Sequence, residues 1–459
     1  MNYQTQHIKI LFLAALAATL LTWSACKKSG TAINSPYALV QSNTAEVPLA
    51  WMELFLELDR YAPDYRPGPA ARALAYTNFA AYESCMAGMP GFTSLQTLYS
   101  GLSLPATDPA KDYHWPTVVN AVYASLTKHF FPSEALAGEQ ETDLQFKILE
   151  LEEAFNSDFL AKVGSGIFNR SKTHGEAVAD AIWEWSKTDP FGHNAYLFPR
   201  PDTYTPPEGP GLWAPTSPQF EDALFPFWGK VRTFAISQQE KLSQPPLSFS
   251  QESTSQLYAQ ALTVRNAVAN PTFTEEWIAE FWSDDIAGQT FSPAARWISI
   301  TNQVIANEDS NLETALYAYT KVSFALHDAA VATGHSKYIY NVERPVSYIN
   351  RVIDSGWQPH WNSTPSYPSY PSSHAAFGAA ATEALSHIFG YSYAATDRSH
   401  EGRDDFYGMP RSFESFYEMA EENAQSRLYL GMNYGMDIAE GLRMGFDIGR
   451  AVNDLPFKR

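Results

Sequence analysis

Apolar residues recur at three- and four-residue spacing along most of the chain, the pattern of helices that turn one face to a core. It predicts helices over Ala50 to Tyr61, Ala70 to Ala87, Thr117 to Phe130, Leu144 to Leu160, Glu176 to Trp185 and Thr254 to Val268. A second group is predicted over Glu275 to Trp282, Ala294 to Ala306, Leu312 to Ala332, His374 to Phe389, Phe413 to Leu430 and Met436 to Val452. Alternating apolar and polar runs bounded by turn residues, the mark of strands, are hardly present. The fold class is therefore all-α.

Two stretches break the pattern. Asp189 to Pro218 carries eight prolines with Tyr196, Phe198, Tyr204 and Trp213 between them, and Gly356 to Ser373 carries Pro359, Pro365, Pro368 and Pro371 with four aromatic residues. Proline at this density forbids helix, and the interleaved aromatics predict loops that pack on the body. At the other end of the chain, His7 and Lys9 precede the apolar run Ile10 to Trp23, which closes on Ser24-Ala25-Cys26. This reads as a secretory signal with Cys26 as the lipidation site, although Trp23 stands where a lipoprotein signal has an aliphatic residue. The expected organisation is a signal peptide over 1–25 and a tether over 26–46. An N-terminal helical part over 47–188, a Pro/aromatic-rich connection over 189–250 and a C-terminal bundle over 251–459 follow. The expected location is exported and periplasmic, held to a membrane by lipid at Cys26.

Composition narrows the function. With 31 Lys and Arg against 50 Asp and Glu, the net charge is −19, and no basic run concentrates positive charge. Such a surface repels phosphate backbones, so nucleic acid is not an expected partner. An anionic ligand would need a few cations gathered in one place. There is no HExxH, no cysteine pair at zinc spacing and no G-x-S-x-G. Ser283-Asp284-Asp285 has carboxylates for a divalent ion, but a solvated helix end explains it as well.

Three segments after residue 330 carry chemistry. In Lys337-Tyr-Ile-Tyr-Asn-Val-Glu-Arg344-Pro345, Pro345 pushes Arg344 out of helical geometry and leaves two cations at a helix exit. In Pro371-Ser372-Ser373-His374, a serine N-cap opens a small-residue helix whose first N–H groups and dipole suit an oxyanion, with His374 placed to donate a proton. In Ser426-Arg427 through Asn433 to Asp437, the last two residues are four apart on one helix face, and a break near Gly431 would let Arg427 point the same way. Each segment alone also reads as an ordinary helix end.

Together, in this order and spacing, they resemble the vanadium-dependent haloperoxidase and type 2 phosphatidic acid phosphatase superfamily, in particular its bacterial haloperoxidase-like branch. Likenesses at Glu280-Phe281-Trp282, Leu326-His327-Asp328-Ala329 and Arg411-Ser412-Phe413, with weaker ones at Ala71 to Ala75 and Gly175 to Ala179, extend the resemblance from about Pro48 to Val452. It implies two helical bundles with the anion site in the C-terminal one. By the same resemblance Lys337, Arg344 and Arg427 would neutralise the oxygens of phosphate or vanadate. Ser372 and the backbone N–H of Ser373 would hydrogen-bond them, Ser373 standing where the family has glycine. His374 would act as general acid, and Asp437 would orient the residue at 433.

That residue is Asn433, where the family has the histidine that carries the phosphoryl group or binds vanadium. An amide nitrogen, its lone pair delocalised, is neither nucleophile nor metal ligand of imidazole quality. No cofactor is therefore expected, and vanadate is opposed by Asn433. The reading is a divergent enzyme that processes a small phosphoester or diphosphate. Alternatives are prenyl diphosphate ionisation of the terpene-cyclase kind, a catalytically silent lipid-tethered anion binder, and an active haloperoxidase using His335, His360, His387 or His400 instead.

Overall fold

The computed structural model describes residues 39–459 except 137–139, 287, 404, 406 and 407. The expected signal peptide, Cys26 and the tether as far as residue 38 lie outside the described residues. Among those described, the chain forms twelve α-helices and one two-stranded sheet. The first four helices are α1 Glu46–Arg60, α2 Gly68–Ser84, α3 Trp115–Phe130 and α4 Glu141–Lys187; three shorter ones, α5 Gln256–Ala269, α6 Phe273–Phe281 and α7 Pro293–Asn307, follow the connection. The C-terminal part comprises α8 Leu312–Tyr340, α9 Pro345–Val352, α10 Ser373–Phe389, α11 Phe416–Tyr429 and α12 Gly435–Asn453. Between α10 and α11, β1 Ala395–Asp397 pairs antiparallel with β2 Arg411–Phe413.

Three departures from the sequence pattern have local causes. The stretches Leu144 to Leu160 and Glu176 to Trp185 belong to one long element, interrupted at Gly164, whose φ of 75° is open to glycine and strained for other residues. Helix α8 continues past Ala332 to Tyr340, where Asn341 takes a left-handed conformation and ends it. The short helix α9 starts at Pro345, whose fixed φ suits a first helical position, and Arg344 before it is extended as Pro345 requires.

Helix α8 joins the two halves. It is buried almost all round, packing on α2 on one side and on α10 and α12 on the other, so one hydrophobic core runs from Val40 to Phe457. The 189–250 connection is pinned to it. The Asp328 carboxylate accepts from the backbone N–H groups of Phe234, Ala235 and Ile236, and Ser336 Oγ donates to Lys241 O and accepts from Ser243 N. The backbone N–H of Trp213 donates to Asn341 O at 2.7 Å. No helix of the described residues is long and apolar enough to cross a membrane.

Helices α10 and α12 approach closely because both present small side chains. A Cβ placed on Gly441 would stand 2.9 Å from Ala375 Cβ, one on Gly445 2.6 Å from Ala379 Cβ, and one on Gly449 2.5 Å from Glu383 Cβ. This contact sets the start of α10 beside the start of α12. Gly445→Ala is expected to destabilise the fold by about 1–3 kcal/mol through overpacking, as measured by urea denaturation. Gly91→Ala, where nothing lies within 4 Å, is the comparison and should stay near neutral.

Candidate functional site

The three chain exits meet at one place. Lys337, Arg344, Ser373, His374, Arg427 and Asn433 line a single recess of about 20 Å³ together with Pro365, Tyr367 and Met432. Through Pro365, Tyr367, His374, Arg427 and Met432 it opens into a cleft of about 380 Å³. Convergence depends on the breaks. Helix α11 stops at Tyr429, and Gly431 turns the chain with a φ of 77° before α12 begins at Gly435. Asn433 therefore lies in the turn ahead of α12, not on the helical face with Asp437 that the spacing suggested.

Each cation is held by backbone carbonyls. Lys337 Nζ donates to Pro368 O (2.9 Å), Ser369 O (2.9 Å) and Pro371 O (2.6 Å), which occupies all three of its hydrogens. Its charge, more than its donors, therefore reaches the recess. Arg344 donates through Nε to Tyr367 O and through Nη1 to Met432 O, while its Nη2 has no partner. Arg427 donates to Ser426 Oγ at 3.1 Å and to Trp282 O. The Lys337 ammonium and the Arg344 guanidinium both lie over the Tyr367 ring, 5.1 and 5.0 Å from its centre.

All three cations are buried, and among the described residues none forms an ion pair with a carboxylate. The arrangement is unusual because an isolated buried charge is strongly disfavoured. Burial lowers the pKa of Arg344, and it lowers that of Arg427 to about 10. Burial and the Arg344 charge hold Lys337 well below its ordinary value. An oxyanion in the recess would supply the missing countercharge.

His374 stands in the first turn of α10. One ring nitrogen hydrogen-bonds the backbone of Asp284, and Nε2, buried, has no partner. Burial first, then Arg427, Lys337 and Arg344, push its pKa well below 6.5, so in the empty site it is neutral. It can act as the expected general acid only when a bound anion offsets those three charges.

Ser372 and Ser373 divide differently from the expectation. The Ser372 hydroxyl caps α10 by accepting from Ala375 N, its backbone N–H donates to Asp437 O at 2.9 Å, and it is not among the residues lining the recess. Ser373 lines the recess, with its hydroxyl 3.3 Å from Thr333 Oγ1.

Asn433 Nδ2 donates to Ser369 O (3.0 Å), Ser369 Oγ (3.3 Å) and Asp437 Oδ2 (3.0 Å). With three acceptors around the nitrogen, the amide carbonyl oxygen is the atom left to face the recess. Asp437 Oδ2 also accepts from Ser369 Oγ (2.6 Å) and Tyr434 N (3.0 Å), so the carboxylate that would orient an imidazole here fastens the 366–371 loop to α12. Burial raises the Asp437 pKa. The cationic side of the recess would suit the oxygens of vanadate, but the Asn433 amide would offer vanadium no imidazole nitrogen. The residues present do not fit vanadate as a resident cofactor. His335, His360, His387 and His400 do not line the recess or the cleft, so none takes the place of the missing imidazole.

Sequence reasoning missed Ser369, Tyr367 and Arg66. Only the Pro-Ser-Tyr-Pro-Ser-Tyr-Pro run at 365–371 hinted at the first two. It saw Asp284 and Asp285 only as a possible cation site. In the structure Asp284 lies 3.4 Å from the buried Arg296, and Arg66 Nη1 lies 3.8 Å from Asp285.

An all-helical bundle protein with a recess lined by three buried cations at the junction of three chain exits defines the class. A family model described as the VCPO second helical-bundle domain matches residues 317–457. The chain is 30% identical to a bacterial vanadium-dependent iodoperoxidase of known structure, with a TM-score of 0.78 over 90% of this chain and 97% of that one. Holo and apo structures of a bacterial vanadium-dependent chloroperoxidase match at 12% identity, with TM-scores of 0.63 and 0.61, over 87% and 85% of this chain and 95% of each of theirs. No curated protein matches significantly. The chain belongs to the vanadium haloperoxidase and type 2 phosphatidic acid phosphatase superfamily.

The site predicts a pH signature. A histidine whose folded pKa lies below 6.5 leaves the folded protein with fewer protons than the unfolded chain, so its contribution to stability is lost as pH falls below about 6.5. NMR of the labelled imidazoles should find His374 neutral at pH 6 in the empty protein and titrating at higher pH when phosphate is added. A His374 resonance that titrates near 6.5 and ignores phosphate would contradict this placement.

Proposed function

We propose that this protein is an exported, lipid-tethered phosphoester hydrolase that lacks the covalent step of its family. What carries the reading is the group of three buried cations without carboxylate partners around a histidine whose Nε2 is free. Such a recess is preorganised for a phosphoryl group and stabilises charge that develops on its oxygens. Water, accepted as a hydrogen-bond donor by the Asn433 carbonyl, bonds to phosphorus as the bond to the ester oxygen breaks. His374, protonated once the dianion is bound, gives its proton to the departing alcohol. The two protons of the water remain on dihydrogen phosphate, and one returns to His374. The substrate is a small phosphorylated molecule, and the acidic surface keeps nucleic acid away.

A second reading is iodide oxidation with vanadate and peroxide, favoured by the 30% identity to the iodoperoxidase. Asn433 opposes it. Robust iodide oxidation by the purified protein with vanadate and peroxide, at a rate that Asn433→Ala abolishes, would establish that reading over the hydrolase.

Inorganic phosphate at about a hundred times its Kd should stabilise the protein by roughly 2.7 kcal/mol, visible as a thermal shift. Arg427→Ala should remove most of that shift and Ser373→Ala little, because Ser373 is expected to act through its backbone N–H. No shift with phosphate, sulfate or diphosphate would overturn the anion site. Asn433→His, which restores the nucleophile beside Asp437, should raise hydrolysis of p-nitrophenyl phosphate by at least about tenfold. An unchanged rate in a folded, phosphate-binding variant would place the divergence beyond this residue.

A further inference from the structure

The cleft outside the recess carries information about the part of the substrate that is not phosphate. Its walls hold four carboxylates, Asp64, Glu221, Asp284 and Asp285, against two guanidinium groups, Arg66 and Arg200. Beyond the three recess cations, the local charge is therefore negative. A second phosphate or a diphosphate tail would meet repulsion there. An isoprenoid or acyl chain would cover charged groups without satisfying them. The lining suits a neutral body rich in hydroxyl groups.

Three further features point the same way. Trp361 is 42% exposed and lines the cleft. Its backbone is held in a turn in which His360 N donates to Leu430 O and Asn362 N donates to Pro359 O, so the turn presents the ring to the cleft. Asp285 has a φ of 81°, strained for a residue with a side chain, and its carboxylate accepts no hydrogen bond from any described residue. Arg66, buried at 4% exposure, leaves Nη1 without a hydrogen-bond partner. The two form a long ion pair, 3.8 Å apart, on the wall of the cleft, and neither the Asp285 carboxylate nor Arg66 Nη1 makes a hydrogen bond to a described residue. One hydroxyl can donate to the first and accept from the second. Burial raises the Asp285 pKa to about 6, so the carboxylate is largely ionised at neutral pH and is the stronger acceptor there.

We propose that the substrate is the phosphate monoester of a polyhydroxylated, sugar-like alcohol, with its ring face on Trp361 and a hydroxyl between Asp285 and Arg66. This rests on the anion site in the recess. It specifies what that site is attached to.

The test uses non-hydrolysable phosphonates with the protein from residue 27 onward, in calorimetric titrations against inorganic phosphate. The ligands are a hexose 6-phosphonate, n-octyl phosphonate and geranyl diphosphate. The hexose compound is expected to bind at least about fivefold more tightly than phosphate, and the octyl and geranyl compounds no more tightly. Trp361→Ala should reduce the ratio of hexose-phosphonate to phosphate affinity about five- to tenfold. Asp285→Asn keeps the shape and tolerates the positive φ, and should reduce the ratio severalfold. Phosphate binding with no preference for the hexose compound would overturn this proposal and leave the anion site standing. Tighter binding of the octyl or geranyl compound would also overturn it and assign the cleft to an apolar tail. Absence of binding by phosphate and by every analogue would remove the anion site, and this proposal with it. A ratio unmoved by both variants would show that Trp361 and Asp285 do not read the alcohol.

Discussion

Three positive charges are buried in this protein with no described carboxylate in ion-pair contact, and the rest of the C-terminal half is arranged to tolerate that. Carbonyl oxygens substitute for acids. Pro368, Ser369 and Pro371 surround Lys337, Tyr367 and Met432 hold Arg344, and Trp282 holds Arg427. Dipoles of this kind solvate a cation without cancelling it, so more positive potential remains in the recess than a carboxylate in direct contact with each cation would leave. The prolines of the 356–373 loop follow from the same need. A chain without helical hydrogen bonds has free carbonyls to offer, and proline keeps it out of helix.

The Asn433 position shows how a relay can survive the loss of its chemistry. Asp437, Ser369 and Asn433 form a closed hydrogen-bonded set that fastens the loop carrying the Lys337 acceptors to the start of α12. The amide retains the structural half of what an imidazole would do there, namely bonding to the carboxylate, and loses the half that attacks phosphorus or binds a metal. His374 is left as the group able to move a proton, and the same charges that attract an anion keep it neutral until the anion arrives.

Much of this was legible in the sequence. The helical period located most elements, and Pro345 and Gly431 marked the two breaks that turn Arg344 and the 431–434 segment inward. The spacing picked out Lys337, Arg344, His374 and Arg427, which line one recess, because each sits within a few residues of a helix end. The partners that hold them were not legible. Ser369 and Tyr367 lie in an irregular loop with no period to read, and Arg66 and Asp285 come from parts of the chain 219 positions apart, which no local pattern connects. The division of labour between Ser372 and Ser373 was likewise hidden, because two adjacent serines at a helix start differ only in which one caps it.

Helix α8 joins the site to the far half of the molecule. It brings Lys337 to the recess at its C-terminal end and packs along α2, within the main hydrophobic cluster that both halves share. The recess is therefore not a module that can be cut out with its own bundle. Removing the N-terminal half would strip one flank of α8 and expose a row of apolar side chains including Phe324 and Leu326 to water. Sequence insertions and trimming are tolerated where they leave this shared helix covered. The matched segment 317–457 is a unit of recognition and descent, but its central helix is packed by residues outside it.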